Sequence, residues 1–231
     1  MSGWLASVVN VAEARLVLSA GADIIDAKNP LAGALGALRA STVRSIVEAV
    51  NGQAMVSATI GDFPDMLPQD MIPAVAGMVS TGVDFVKIGL FPSPHLLQTI
   101  EALSSIAKSH RLVAVLFADQ NPDFGIIKHL AAFGFGGVML DTSQKYAGGL
   151  LRYQSLGRLG AFVREVRELR MVSGLAGSLR RSEIPNLTGL GADYLGFRSA
   201  LCRNHVRTQF IDMDAVNAIA RSIRYEAASA L

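Results

Sequence analysis

The chain has 231 residues, 51% of them apolar, with a mean hydropathy of +0.37 and a formal net charge of +2. That length suits one large domain or two small ones, and the scattered arginines, with no basic run beyond Arg180-Arg181, argue against a nucleic-acid partner. No apolar run reaches the roughly 20 residues of a membrane span. The N-terminus lacks the pattern of a secretory signal, and one cysteine, Cys202, precludes an intramolecular disulfide and fits a cytoplasmic protein.

A short apolar run at 5–9 opens the chain, and helical spacing follows over 11–20. Next comes Gly21-Ala22-Asp23-Ile24-Ile25-Asp26-Ala27-Lys28. A glycine ends the helix as a left-handed cap, and a buried strand begins. The pattern returns as Gly82-Val83-Asp84-Phe85-Val86-Lys87-Ile88-Gly89 and Gly191-Ala192-Asp193-Tyr194-Leu195-Gly196-Phe197-Arg198, with a weaker copy from Gly134 to Asp141. Successive glycines stand 61, 52 and 57 residues apart, the span of two strand–helix units. The strands between them are the apolar runs at 54–60, 112–117 and 171–175, and further helical patterns cover 42–50, 94–108, 156–169 and 212–224.

Strand alternating with helix implies parallel strands. Continuous apolar strands imply a sheet covered on both faces. Eight such units predict an α/β protein, a single-domain (βα)8 TIM barrel over residues 1–231. An open doubly wound sheet is the second choice, weakened by the lack of a glycine-rich dinucleotide fingerprint after the first strand.

Function in such a barrel sits at the C-terminal strand ends. Strand two ends in Asp26 and Lys28, strand four carries Lys87, and strand six ends in Asp141 with Lys145 shortly after. Side chains of a strand repeat with period two, so Asp26 and Lys28 face the same way. Only five of the 21 basic residues are lysines, which makes three near strand ends informative. Lysine can lose its proton and attack a carbonyl, whereas arginine cannot. Clustered cations in a poorly solvated mouth favour that loss, and a second amine can move protons. The plain alternative is ordinary loop lysines, above all for Lys145. Asp26 and Asp141 either neutralise the lysines or carry protons. Asp23, Asp84 and Asp193, at the strand entries, read as structural.

The turn containing Gly174, Gly177 and Ser178, with Arg198 and Ser199 after strand eight, has the makings of a phosphate site ahead of a helix beginning near Leu179. Tight turns alone would account for the same glycines. His95, His110, His129 and His205 are isolated, so no metal is expected, and Cys202 reads as a small filler near the mouth.

Several segments carry a resemblance: Asp26-Ala27-Lys28-Asn29-Pro30, Ala58-Thr59-Ile60-Gly61-Asp62, Val86-Lys87-Ile88-Gly89, Met139-Leu140-Asp141-Thr142, Ala176-Gly177-Ser178 and Gly196-Phe197-Arg198. They resemble the (5-formylfuran-3-yl)methyl phosphate synthase family, in order along nearly the whole chain. The resemblance implies a barrel without metal or organic cofactor. It implies condensation of two glyceraldehyde 3-phosphate molecules, with loss of water and phosphate, to a furan precursor of methanofuran-type one-carbon carriers. It makes Lys28 the Schiff-base lysine, Lys87 the proton acceptor, and Asp26, Asp141 and Lys145 supporting catalytic groups. The expected partners are triose phosphates, and so apolar a barrel leaves room for a homo-oligomer. Ala34 and residues 203–210 depart from the family pattern. Read from the residues alone, a class I aldolase acting on phosphosugars and a non-catalytic phosphosugar-binding barrel stay open.

Overall fold

The computed structural model describes residues 2–144 and 147–229. Eight parallel strands close into a barrel in sequence order. They are β1 (Gly3–Val8), β2 (Ile24–Ala27), β3 (Met55–Thr59), β4 (Phe85–Leu90), β5 (Arg111–Phe117), β6 (Gly137–Asp141), β7 (Val172–Leu175) and β8 (Tyr194–Phe197), with β8 pairing back onto β1. The chain is therefore a (βα)8 barrel. The first helix, Val11–Ser19, and the last, Met213–Ser229, follow β1 and β8. No helix among the described residues is long and apolar enough to cross a membrane.

The repeat has a physical basis at both of its ends. Gly21 and Gly191 take φ of +83° and +73°, a left-handed conformation that stops the helix and turns the chain into the next strand. Two residues on, the aspartate reaches sideways to the neighbouring strand. Asp23 accepts the Trp4 N–H at 2.8 Å, Asp84 the Val56 N–H at 2.7 Å, and Asp193 both the N–H and the hydroxyl of Ser173 at 2.7 Å. These carboxylates hold strand starts together on the floor of the barrel.

Two apolar layers flank the strands. One lies between strands and helices; the other fills the barrel with Leu5, Ile24, Phe85, Val113, Val115, Phe117 and Met139. Each of these large side chains contributes about 1.5–3 kcal/mol by burial. They leave only a cavity of about 30 Å³ below Lys87, so the barrel is plugged from beneath and opens at its C-terminal mouth.

Two expectations need correction. The helix expected over 94–108 is two helices, Leu96–Ala102 and Ser104–Ala107, with Leu103 between them at φ −80° and ψ −8°, away from the regular helical ψ. The helix expected near Leu179 starts later. Ser178 is left-handed (φ 49°) and Arg180 extended, so a 3₁₀ turn, Arg181–Glu183, leads into the short helix Ile184–Thr188, where Pro185 can begin a helix. A helix dipole at Leu179 is thus not available to an anion.

Candidate active site

The site follows from strand register. Ser7, Asp26 and Ser57 are direct neighbours across β1, β2 and β3. Their side chains consequently meet inside the barrel: Ser7 donates to Asp26 Oδ2 at 2.8 Å and Ser57 to Oδ1 at 2.7 Å. Lys87, on β4, brings its Nζ to 2.6 Å from Asp26 Oδ1. Asp26 is fully buried, and this ring of donors is what makes a charge tolerable there. Burial works against the Asp26 charge, but Lys87, Lys28 and the Ser57 hydrogen bond outweigh it and hold the carboxyl below its usual value. For Lys87 the balance goes the other way. Burial, aided by Lys28, pushes its pKa below the ordinary lysine value despite the pull of Asp26.

Lys28 leaves the end of β2, its N–H donating to the Val8 carbonyl. Its Nζ lies 3.2 Å from Asp141 Oδ2, across the mouth. The other Asp141 oxygen accepts the Thr142 N–H at 2.8 Å. Lys28, Lys87, Asp26 and Asp141 all line one cavity of about 50 Å³, together with Gly177, Ser178, Arg198, Ser199 and Arg207. Lys87, its pKa lowered by burial, and Lys28, paired with Asp141, can therefore act on one bound molecule.

The remaining expected residues divide. Gly177 and Ser178 stand at the cavity wall, as does Ser199. Gly177, at φ +110°, packs so close to β6 that a Cβ would meet Thr142 Cγ2 at 2.9 Å. Gly174 is not part of that turn: it lies in β7 facing the lower cavity, where a Cβ would approach Met139 Cγ to 2.9 Å. Arg198 is also placed differently from a phosphate ligand. Its guanidinium forms a fork with Glu13 (2.5 and 3.3 Å) and donates to the carbonyls of Ser7, Arg207 and Gln209. Glu13, buried on the first helix, captured it. Lys145 lies outside the described residues.

Four contributors were assigned no role from the sequence. Ser7 and Ser57 were hidden because their role depends on cross-strand register. Thr142, next to Asp141, has a buried hydroxyl with no hydrogen-bond partner among the described residues. Asp119, at the end of β5, accepts from Ser143 N–H and Oγ and from Gln144 N–H at 2.7–2.8 Å, shaping the chain ahead of Lys145. Burial opposes the Asp119 charge, but those donors keep its carboxyl below the ordinary range. Among the described residues no cluster suits a metal ion.

Comparison with known proteins bears on this geometry. A family model described as 4-HFC-P synthase matches residues 4–220. A relative from Methylorubrum extorquens, provisionally named a (5-formylfuran-3-yl)methyl phosphate synthase, is 41% identical over 97% of this chain and 94% of its own. The (5-formylfuran-3-yl)methyl phosphate synthase of Methanocaldococcus jannaschii is 32% identical over 86% of this chain and 89% of its own. Among solved structures, phosphoribosyl anthranilate isomerase from Thermus thermophilus superposes with a TM-score of 0.69 at 13% identity, covering 97% of this chain and 99% of that one, a likeness of fold.

Proposed function

The chain belongs to the 4-HFC-P synthase family, and from that premise we propose that it condenses two molecules of glyceraldehyde 3-phosphate to (5-formylfuran-3-yl)methyl phosphate through a Schiff base on Lys28. The observation that carries this reading is the pair of buried lysines, each matched to a carboxylate, opening on one cavity. A simple binding barrel has no need of two such pairs, since burying them costs desolvation without a gain in affinity for a small ligand.

In this mechanism Lys28 Nζ adds to the carbonyl carbon of one triose phosphate. Water leaves and an iminium forms. The iminium acidifies the adjacent C–H, and Lys87, whose burial favours the neutral amine, accepts that proton. The enamine carbon then attacks the aldehyde of the second molecule. A hydroxyl oxygen closes the ring and displaces Lys28. Loss of water and of one phosphate gives the aromatic furan, and aromatisation makes these steps irreversible. Asp26 holds Lys87 in place, and Asp141 steadies Lys28 and can return a proton to the leaving oxygen. One phosphate rests at the turn of Gly177 and Ser178, beside Ser199 and the Thr142 hydroxyl. The product fits the role of a precursor for methanofuran-type one-carbon carriers.

Incubation with glyceraldehyde 3-phosphate alone tests the proposal. A furan absorbance should rise together with inorganic phosphate, one phosphate per furan. Carbon–carbon bond formation without phosphate release would instead identify an aldolase.

A further inference from the structure

The cavity over the two lysines, at about 50 Å³, is far smaller than the roughly 300–1,000 Å³ typical of small-molecule sites. Its walls come from β1, β2, β6 and β8 and from the turns after β7 and β8, with Lys87 from β4. The other side of the mouth, over β3, β4 and β5, is closed by the loop that follows β2. On β4 the inward position above Lys87 is Gly89. A Cβ there would meet Leu35 Cδ1 at 2.8 Å, Phe91 Cε2 at 3.0 Å and Phe117 Cζ at 3.2 Å. Leu35 thus fills the place where a side chain of residue 89 would stand. It is fully buried and belongs to the same inner cluster as Met139 and Ala176, which line the cavity.

The loop is tied down so as to hold that side chain. Asp62, just beyond β3, accepts the N–H of Ala34 at 2.8 Å and that of Leu35 at 2.9 Å, one on each carboxylate oxygen. Gly61 donates its N–H to the Leu35 carbonyl at 3.1 Å. Thr59, at the end of β3, donates its hydroxyl to the Gly36 carbonyl at 2.9 Å. The Asn29 N–H donates to that same carbonyl at 2.8 Å, which closes the loop directly after Lys28. Gly33 takes φ +90°, and a Cβ on it would collide with Asp62 Oδ2. Glycine is what lets the carboxylate come so close. Asp62 therefore differs from the floor aspartates and from the lysine partners: it carries Leu35 over the mouth.

We propose that Leu35 is a specificity-determining residue, which limits the aldehyde joined to Lys28 to a three-carbon chain, and that Asp62 is its positioning residue. The inference rests on the Schiff-base reading above and deepens it. A bound aldehyde is fixed at both ends, its carbonyl carbon at Lys28 on the β2 side and its phosphate at the turn of Gly177 and Ser178 after β7. Leu35 faces that span from the β3–β5 side. An added carbon has to bulge from the span toward Leu35. One methylene against an apolar wall discriminates by roughly 10- to 200-fold.

The test is a competition. The protein is given equal amounts of glyceraldehyde 3-phosphate and its four-carbon homologue, erythrose 4-phosphate, in the presence of borohydride. The two adducts on the Lys28 peptide differ by one CHOH unit and are separated by mass. We expect the wild type to favour the triose. Leu35→Ala should move the ratio toward the tetrose on the order of 10-fold. Asp62→Ala should move it the same way, because Leu35 is no longer held. Leu35→Val removes less, so it serves if the alanine variant does not fold, with a smaller shift in the same direction. Adding Gly89→Ala to Leu35→Ala returns a methyl group to the vacated space and should bring the ratio back toward the wild type. General loosening of the fold would lower both adducts and leave no such return. Equal yields of the two adducts in the wild type would overturn the inference. So would an unchanged ratio in the Leu35 variants while the triose adduct still forms. Absence of any Lys28 adduct in the wild type would instead defeat the proposed function, and this reading with it.

Discussion

The barrel uses aspartate at both ends of its strands, with opposite consequences. On the floor, Asp23, Asp84 and Asp193 accept backbone N–H groups of adjacent strands. At the mouth, Asp26 and Asp141 hold the ammonium groups of Lys87 and Lys28. At β2 the two uses are three residues apart, on Asp23 just before the strand and Asp26 within it. The difference lies in what each carboxylate faces. A floor aspartate replaces a missing strand neighbour and is satisfied by amides whose protons never leave. A mouth aspartate is satisfied by amines that can lose a proton, in a cavity open to a small molecule. The same residue type is thus mortar at one end and part of a titrating network at the other.

Substitutions should separate the two ends. Lys28→Arg has the largest expected effect: the charge facing Asp141 persists, but no iminium can form, so furan formation disappears while thermal melting stays near the wild type. Measurable turnover in that variant would count against Lys28. Lys87→Met should lower turnover by about 10²–10⁴-fold, the usual share of a proton-transfer group. It also leaves Asp26 buried beside no ammonium partner, at a cost of about 3–5 kcal/mol in urea unfolding. Adding Asp26→Asn to that variant should restore much of the stability and none of the activity, which separates the structural from the chemical role of the pair.

Asp193→Ala tests the floor. Losing the acceptor for the Ser173 N–H and hydroxyl should cost about 1–3 kcal/mol, with kcat unchanged. A fall in kcat at constant stability would erase the distinction between the two ends.

The smallest expected effect is a shift in pH dependence. Burial and Lys28 lower the Lys87 pKa, and Asp26 raises it. Activity that needs neutral Lys87 should rise with pH along a limb set by that lowered value. Asp26→Asn removes the raising influence, so the limb should move to lower pH in whatever activity survives. For stability the sign is fixed by Asp26 itself. Its folded pKa is depressed, so its contribution is full above the ordinary carboxylate pKa and is lost as pH falls through the lower folded value. Acid titration of unfolding should show that loss in the wild type and not in Asp26→Asn.

Much of this could be read before any coordinates. The glycine-led repeat marked every second strand because a left-handed turn and a strand start are local events, encoded within a few residues. Lys28, Lys87, Asp26 and Asp141 were legible because a charge in an apolar strand needs a partner. What stayed hidden depends on distant parts of the chain. Ser7 and Ser57 acquire their role only through register across three strands. Arg198 looked like a phosphate ligand until Glu13, 185 residues away, took its guanidinium. Arg207 sits in a stretch with no local signal and gains its place from Arg198.

The central claim is that Lys28, rather than Lys87, bears the covalent intermediate. Both amines face the same cavity, and burial makes Lys87 a credible nucleophile too. The direct measurement is borohydride reduction during turnover with glyceraldehyde 3-phosphate, followed by peptide mass mapping. We expect a triose phosphate-derived mass on the peptide bearing Lys28 and none on that bearing Lys87. An adduct on Lys87, or none on either lysine while furan continues to form, would contradict it.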